Sequence, residues 1–168
     1  MSVRTLYLLN VSVHVLAAML WLGGMFFLAV VGGPALRGIE DPALRGRLYS
    51  AIGRGFRRAG WWSIAILVAT GIGNLAFRGL LRWQVLGSGH FWATRYGHTL
   101  AGKLVAVTAM IAVSAVHDFV LGPAASRAAR RGDPEARTLR SRAAWLARIN
   151  AGLGVVVVLL AVRLARGG

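Results

Sequence analysis

The 168-residue chain contains no cysteine, which excludes disulfides, zinc ribbons, iron–sulfur ligation and thiol catalysis. Acidic residues are almost as scarce: 5 Asp and Glu stand against 20 Lys and Arg, for a formal net charge of +15. Glu40, Asp41, Asp133 and Glu135 sit beside arginines and read as charge balance, so no carboxylate pair is left for hydrolytic chemistry. Lysine occurs once, at Lys103, and nearly all the positive charge is therefore guanidinium. What the chain has in abundance is apolar, with 57% hydrophobic residues and only 15% charged ones. Soluble nucleic-acid binders keep their charge on a solvated surface around a modest core, and disordered chains lack this apolar content, so both classes are excluded. The charge and the apolar surface must occupy separate places, which is the composition of a small polytopic membrane protein.

Roughly 20 mostly apolar residues suffice to cross a bilayer, and four such runs are present, at 6–31, 59–77, 99–121 and 143–164. They predict an all-α integral membrane protein, a four-helix bundle forming a single transmembrane domain over residues 1–168. The first run is too long for a signal-peptide core and reads as a retained span. The runs are continuous rather than alternating, which argues against a β-barrel. Thirteen arginines lie between the first and second runs and from Arg127 to Arg148, against six at Arg4, Arg78, Arg82, Arg95, Arg163 and Arg166. By the positive-inside rule the two long arginine-rich loops face the cytoplasm of a prokaryotic-type inner membrane, with both termini outside.

The sequence also repeats itself. Gly33-Pro34-Ala35 ends the first run and Gly122-Pro123-Ala124 ends the third. Each is followed by an arginine-rich stretch, an Asp-Pro pair (Asp41-Pro42, Asp133-Pro134), and then Arg58-Ala59-Gly60-Trp61 or Arg142-Ala143-Ala144-Trp145. Two helical hairpins of one orientation are the expected outcome. This register sets His14 opposite Lys103, each twenty residues before its proline. On the first span Asn10, His14, Ala17, Ala18, Trp21 and Met25 share a helical stripe, and on the third Lys103, Val107, Met110, Ser114 and His117 share another. An unpartnered polar group in hydrocarbon is costly, so both stripes are predicted to face inward.

Histidine is the informative residue. His14 and His117 lie inside spans, while His90 and His98 flank the start of the third. Imidazoles from facing helices are the usual axial ligands of b-type haem in a bundle, and with methionine they hold copper. The candidate ligands are His14, His98 and His117, with Met25 as a thioether for a metal. Ala17, Ala18, Gly23 and Gly24 would line a haem pocket, and Arg78, Arg82 and Arg95 would meet its propionates at the outer face. Lys103 would neutralise a propionate, move protons, or snorkel to the head groups. At a rise of about 1.5 Å per residue, His14 lies roughly 12 Å below Leu6 and His117 roughly 27 Å below Thr99, too far apart in depth to share one iron. His14 would pair with His98 or His90, and His117, level with Met25, would form an inner His/Met site. The competing structural roles are a His14 bonded to Asn74 or a backbone carbonyl, a His117–Asp118 hydrogen-bond pair, and methionines that only pack. Residues 97–103 match the first seven positions of a phosphate-binding loop, but Leu104 replaces the magnesium-binding hydroxyl, so no nucleotide is expected. Trp83, Phe91, Trp92 and Tyr96 read as an interfacial aromatic belt.

The run from His14 through Trp21-Leu22-Gly23-Gly24-Met25, with the later Lys103 and His117-Asp118-Phe119-Val120-Leu121-Gly122-Pro123, resembles the CopD family of copper resistance or uptake membrane proteins. It is also similar to the related HemJ group, which binds b-type haem. The resemblance implies His14 as a metal or haem ligand, with Lys103 and His117 as the next candidates. Residues and resemblance together point to a b-type haem-binding membrane protein for electron transfer or a membrane redox reaction, a haem-dependent membrane oxidoreductase if it is an enzyme. The alternatives are CopD-like copper uptake or resistance, and a cofactor-free structural subunit of a membrane complex. The expected partners are the lipid bilayer and a homodimer or a larger membrane redox complex, not nucleic acid or nucleotide.

Overall fold

A computed structural model describes residues 1–168, and every regular element in it is helical. The chain divides into two compact units, Met1–Leu86 and Gly87–Gly168. In the first, α1 (Val3–Phe27) runs through a π-helical segment, π1 (Leu28–Gly32), into the short α2 (Gly33–Arg37), and α3 (Pro42–Phe77) returns antiparallel against α1. A single turn, α4 (Trp83–Leu86), follows. In the second, α5 (Gly89–Ala93) packs on the start of α6 (Arg95–Ala115). Helix α6 continues through π2 (Val116–Leu121) into α7 (Gly122–Arg130), and α8 (Glu135–Ala165) returns along all three.

The helix boundaries follow local chemistry. Ser2, Asp41 and Thr94 sit in extended conformation and accept the backbone N–H of Thr5, Ala43 and Gly97, capping α1, α3 and α6. Asp133 accepts the N–H of Glu135 at 2.8 Å ahead of α8. Gly79 and Gly132 adopt φ of +68° and +69°, the left-handed geometry that ends α3 and α7, and each is followed by an N–H bond to the carbonyl five residues back. The two π segments have one cause. Pro34 and Pro123 lack an N–H, and their rings crowd the carbonyl four residues earlier, so the helix widens by one residue to pass them. The preceding glycine is required in each case, because a Cβ on Gly33 would stand 2.8 Å from the Leu28 carbonyl, and one on Gly122 3.1 Å from that of His117.

The four apolar runs are helices of 35, 36, 36 and 31 residues, Val3–Arg37, Pro42–Phe77, Arg95–Arg130 and Glu135–Ala165, long and apolar enough to cross a membrane. They extend well past the predicted spans, and the two arginine-rich stretches are not long loops. Only residues 38–41 and 131–134 connect the paired helices. The reason is propensity: these stretches are built from Ala, Leu and Arg, all strong helix formers, and the Asp-Pro pairs start helices rather than interrupt them. At about 1.5 Å per residue, a 36-residue helix is near 54 Å long, so it carries its arginines beyond an apolar layer of about 30 Å.

Both predicted stripes face inward. Ala17 and Trp21 are the buried residues of α1, and Met110, at 2% exposure, is the most enclosed side chain of the chain, with Ala106 and Ser114 beside it on α6. The opposite faces are apolar and exposed, as at Leu16, Met19, Val105 and Leu159, which is the surface lipid requires. Helices meet closely where glycine allows it. The Trp21 indole lies over Gly60, the Phe56 ring over Gly24, and the backbone of Phe91 and Trp92 directly over Gly97. Gly97→Ala must therefore push α5 off α6, whereas Gly102→Ala, whose Cβ would meet Leu160 at an ordinary 3.9 Å, is accommodated. Thermal unfolding in detergent should show Gly97→Ala destabilised by roughly 1–3 kcal/mol and Gly102→Ala close to the parent; equal behaviour of the two would refute the α5–α6 contact.

Candidate functional site

In the first unit a polar quartet bridges α1 and α3. Asn10 and His14 are one turn apart on α1, Thr70 and Asn74 one turn apart on α3, and the antiparallel register sets 10 across 74 and 14 across 70. Asn10 Nδ2 donates to the Thr70 carbonyl at 2.9 Å and to Asn74 Oδ1 at 3.0 Å. His14 Nδ1 lies 2.7 Å from Thr70 Oγ1, and Thr70 Oγ1 in turn donates to the Ile66 carbonyl at 2.6 Å. A hydroxyl has one proton. With that proton on the Ile66 carbonyl, His14 Nδ1–H is the donor and the neutral ring carries its lone pair on Nε2, the nitrogen a metal would take. Two glycines of α3 make the room: a Cβ on Gly73 would fall 2.7 Å from Asn10 Oδ1, and one on Gly71 3.7 Å from His14 Cε1. The open end of the same hairpin is tied by Tyr7, which stacks edge-on against Phe77 and accepts from Arg78 Nη2 at 3.3 Å.

The second unit holds three polar features. Asn150 Nδ2 donates to Ser114 Oγ at 2.8 Å, buried between α8 and α6. Within π2, His117 Nδ1 is 2.8 Å from Asp118 Oδ1, with side chains 37% and 20% exposed. At the N-terminal end of α6 and the C-terminal end of α8, Ala93, Arg95, His98, Thr99, Leu160 and Arg163 line an open cleft of about 370 Å³.

Each predicted site residue has a defined place within its own unit. His14 belongs to the quartet, and its partner is Thr70, with Asn74 taken by Asn10. His98 and Arg95 share the cleft, where Arg163 joins them. His117 pairs with its neighbour Asp118. Lys103 is half-buried on α6, Met25 half-buried on α1, and Arg82 exposed in the connection after α3, its carbonyl starting α4. His98 and His117 ride one continuous helix and are separated by about 28 Å of rise, so no iron takes both. Met25 is about 16 Å along α1 from His14 by the same rise and shares no ion with it. No group of three or more His and carboxylate side chains is assembled. Thr70 is the member of the quartet that sequence reasoning missed. Its signal was the matched four-residue spacing of Asn10/His14 and Thr70/Asn74. Arg163 was read only as a topology residue, because its partners in the cleft come from α6.

Ser114 and Asn150 should be energetically coupled: single alanine substitutions and the double variant, compared by unfolding in detergent, are expected to give a coupling of roughly 0.5–1.5 kcal/mol. Strict additivity would show that the hydrogen bond contributes nothing to the α6–α8 pair.

A family described as copper resistance protein D, CopD, matches residues 50–164. An uncharacterized protein of Aquifex aeolicus (strain VF5) is 28% identical over 156 residues, spanning 92% of each chain. No solved structure matches. The match covers more than half of the chain, from the first third of α3 nearly to the end of α8, and it joins the four apolar helices in marking a multi-pass membrane protein: the chain belongs to the CopD family.

Proposed function

We propose that the protein handles copper as cargo at the inner membrane, taking the ion on His14 Nε2 and passing it on, rather than holding b-type haem. The observation that carries this reading is the His14–Thr70–Ile66 chain, which leaves Nε2 as the ring's lone-pair nitrogen within an otherwise apolar helix pair. A neutral imidazole is a good copper ligand, and a hydrogen bond to its other nitrogen fixes the tautomer and raises its basicity. The quartet offers one imidazole, two amides and a hydroxyl, with no thiolate or thioether. So sparse a donor set suits an ion in passage, bound weakly enough to leave. Haem has less to support it. The family is described by copper, and His98 and His117 lie too far apart along one helix to share an iron.

The two units are proposed to be copies of one hairpin. Buried positions recur eighty-nine residues apart, Ala17 with Ala106, Trp21 with Met110 and Leu36 with Ala125, and both π segments precede the Gly-Pro pairs at that same offset. In this register Asn10 corresponds to Thr99 and His14 to Lys103. Only the first hairpin keeps the imidazole, so the cargo site belongs to one half. The arginine-bearing ends of α2, α3, α7 and α8 would face the cytoplasm, which places the quartet toward the outer side, where an incoming ion first meets the protein.

Proteoliposomes carrying the full chain should accumulate Cu(I) faster than empty vesicles. His14→Ala is expected to abolish the difference, and Thr70→Val to lower it by roughly tenfold, the usual cost of losing a ligand's hydrogen-bond partner. Uptake unaffected by His14→Ala overturns the cargo site. A stoichiometric b-type haem spectrum in the purified protein, without copper, overturns the reading in favour of a cytochrome.

A further inference from the structure

The cleft at the α6–α8 end of the second unit has no part in the copper reading, and its lining is chemically one-sided. Arg95 is the first residue of α6 and Arg163 lies in the last turn of α8; both are exposed, as is His98, while Thr99 between them is buried at 5%. The lining contains no Asp or Glu, and the chain's few acidic residues lie elsewhere, three of them in the two hairpin connections and Glu135 at the start of α8. Two like-charged arginines lining one cavity of about 370 Å³ are stabilised by an anion between them. The remaining wall, Ala93 and Leu160, is apolar, and it continues onto the exposed apolar surface at Leu159 and Val162.

We propose that this cleft binds a phosphate group, held by the Arg95 and Arg163 guanidiniums, while the Thr99 hydroxyl donates to the Arg95 carbonyl at 3.0 Å and His98 Nδ1 to the Thr94 carbonyl at 3.1 Å, which fixes the floor of the cleft. Phosphate is the anion that two planar guanidiniums match best, each through paired N–H donors, and it stays charged at every physiological pH. The cleft lies where two apolar spans end, the depth at which lipid head groups sit. The apolar wall beside the cations gives a glycerol backbone and the start of an acyl chain somewhere to lie. A free phosphate ion would use the cations alone. The chemistry is shared by an anionic phospholipid head group and by inorganic phosphate, and only the lipid also uses Ala93 and Leu160.

The test uses the full chain in nanodiscs. Wild-type protein in phosphatidylcholine containing phosphatidylglycerol should retain phosphatidylglycerol selectively when released for native mass spectrometry. Arg95→Gln with Arg163→Gln should lower that retention about tenfold, the loss expected from two charged hydrogen-bonded contacts, while Arg82→Gln, outside the cleft, leaves it unchanged. Inorganic phosphate added to protein in pure phosphatidylcholine separates the sources. A rise in the thermal midpoint of wild type, absent in the double variant, assigns the site to free phosphate, and no rise alongside selective retention assigns it to lipid. The wild-type comparison of the two lipids needs no variant, so a misfolded double variant does not blunt the test. The proposal is overturned if wild type retains both lipids equally and does not respond to phosphate, or if Arg82→Gln removes the selectivity as fully as the double variant.

Discussion

Every polar side chain on the inner faces of these helices must find its partner within the protein, because hydrocarbon supplies none. That constraint sets how each hairpin pairs. In the first unit Asn10 and His14 are satisfied by Thr70, Asn74 and the backbone between them, and a shift of α3 by one residue along α1 would break all of these bonds at once. The register so fixed brings Gly73 and Gly71 under the two polar groups, Gly60 under Trp21 and Gly24 under Phe56. In the second unit the Ser114–Asn150 bond does the same for α6 and α8. Dispersion between the packed faces adds stability, but it does not choose one register over its neighbours, since lipid tails compete for the same apolar contacts.

A second device is covalent in origin. Proline inside a long helix deletes a hydrogen bond and crowds the previous turn, and both hairpins answer with a π segment just before it. Side chains of α3 then tie down the segment that follows: Tyr49 Oη donates to the Gly33 carbonyl at 3.1 Å, and Arg45 Nη1 to the Ile39 carbonyl at 3.2 Å. In π2 the same widening carries His117 and Asp118, whose 2.8 Å bond keeps an ionisable pair satisfied near a helix irregularity. The apolar helices can thus pass into arginine-bearing extensions without a break, and the charge is carried clear of the bilayer on rigid supports rather than on loops.

Much of the candidate site was legible from particular residues. Asn10, His14, Ala17 and Trp21 could be placed on one inward stripe because an α-helix repeats every 3.6 residues and polar groups avoid lipid. The pairing of His117 with Asp118 needed only their adjacency. The partner of His14 was not legible in the same way. Thr70 and Asn74 were both available, and the choice between them depends on a shift of one helical turn that only packing resolves. The arginines posed the same difficulty in another form. Arg78, Arg82 and Arg95 are close in sequence, but Arg78 bonds Tyr7 while Arg95 lines a cleft with Arg163, sixty-eight residues away. Sequence proximity does not say which helix end a long side chain will share.

The sequence by itself determined the solvent, the number of apolar runs long enough to cross it and the inward stripes, because hydropathy and helical period are local properties that act wherever the chain lies. Only the tertiary structure decided that Thr70 bonds His14, that the arginine-rich stretches are helical, and that two arginines from opposite ends of the second unit's sequence line one cleft. Each of these depends on how far one helix slides along its partner. That displacement is set by the summed fit of polar bonds and glycine gaps along two faces, a sum no single residue carries.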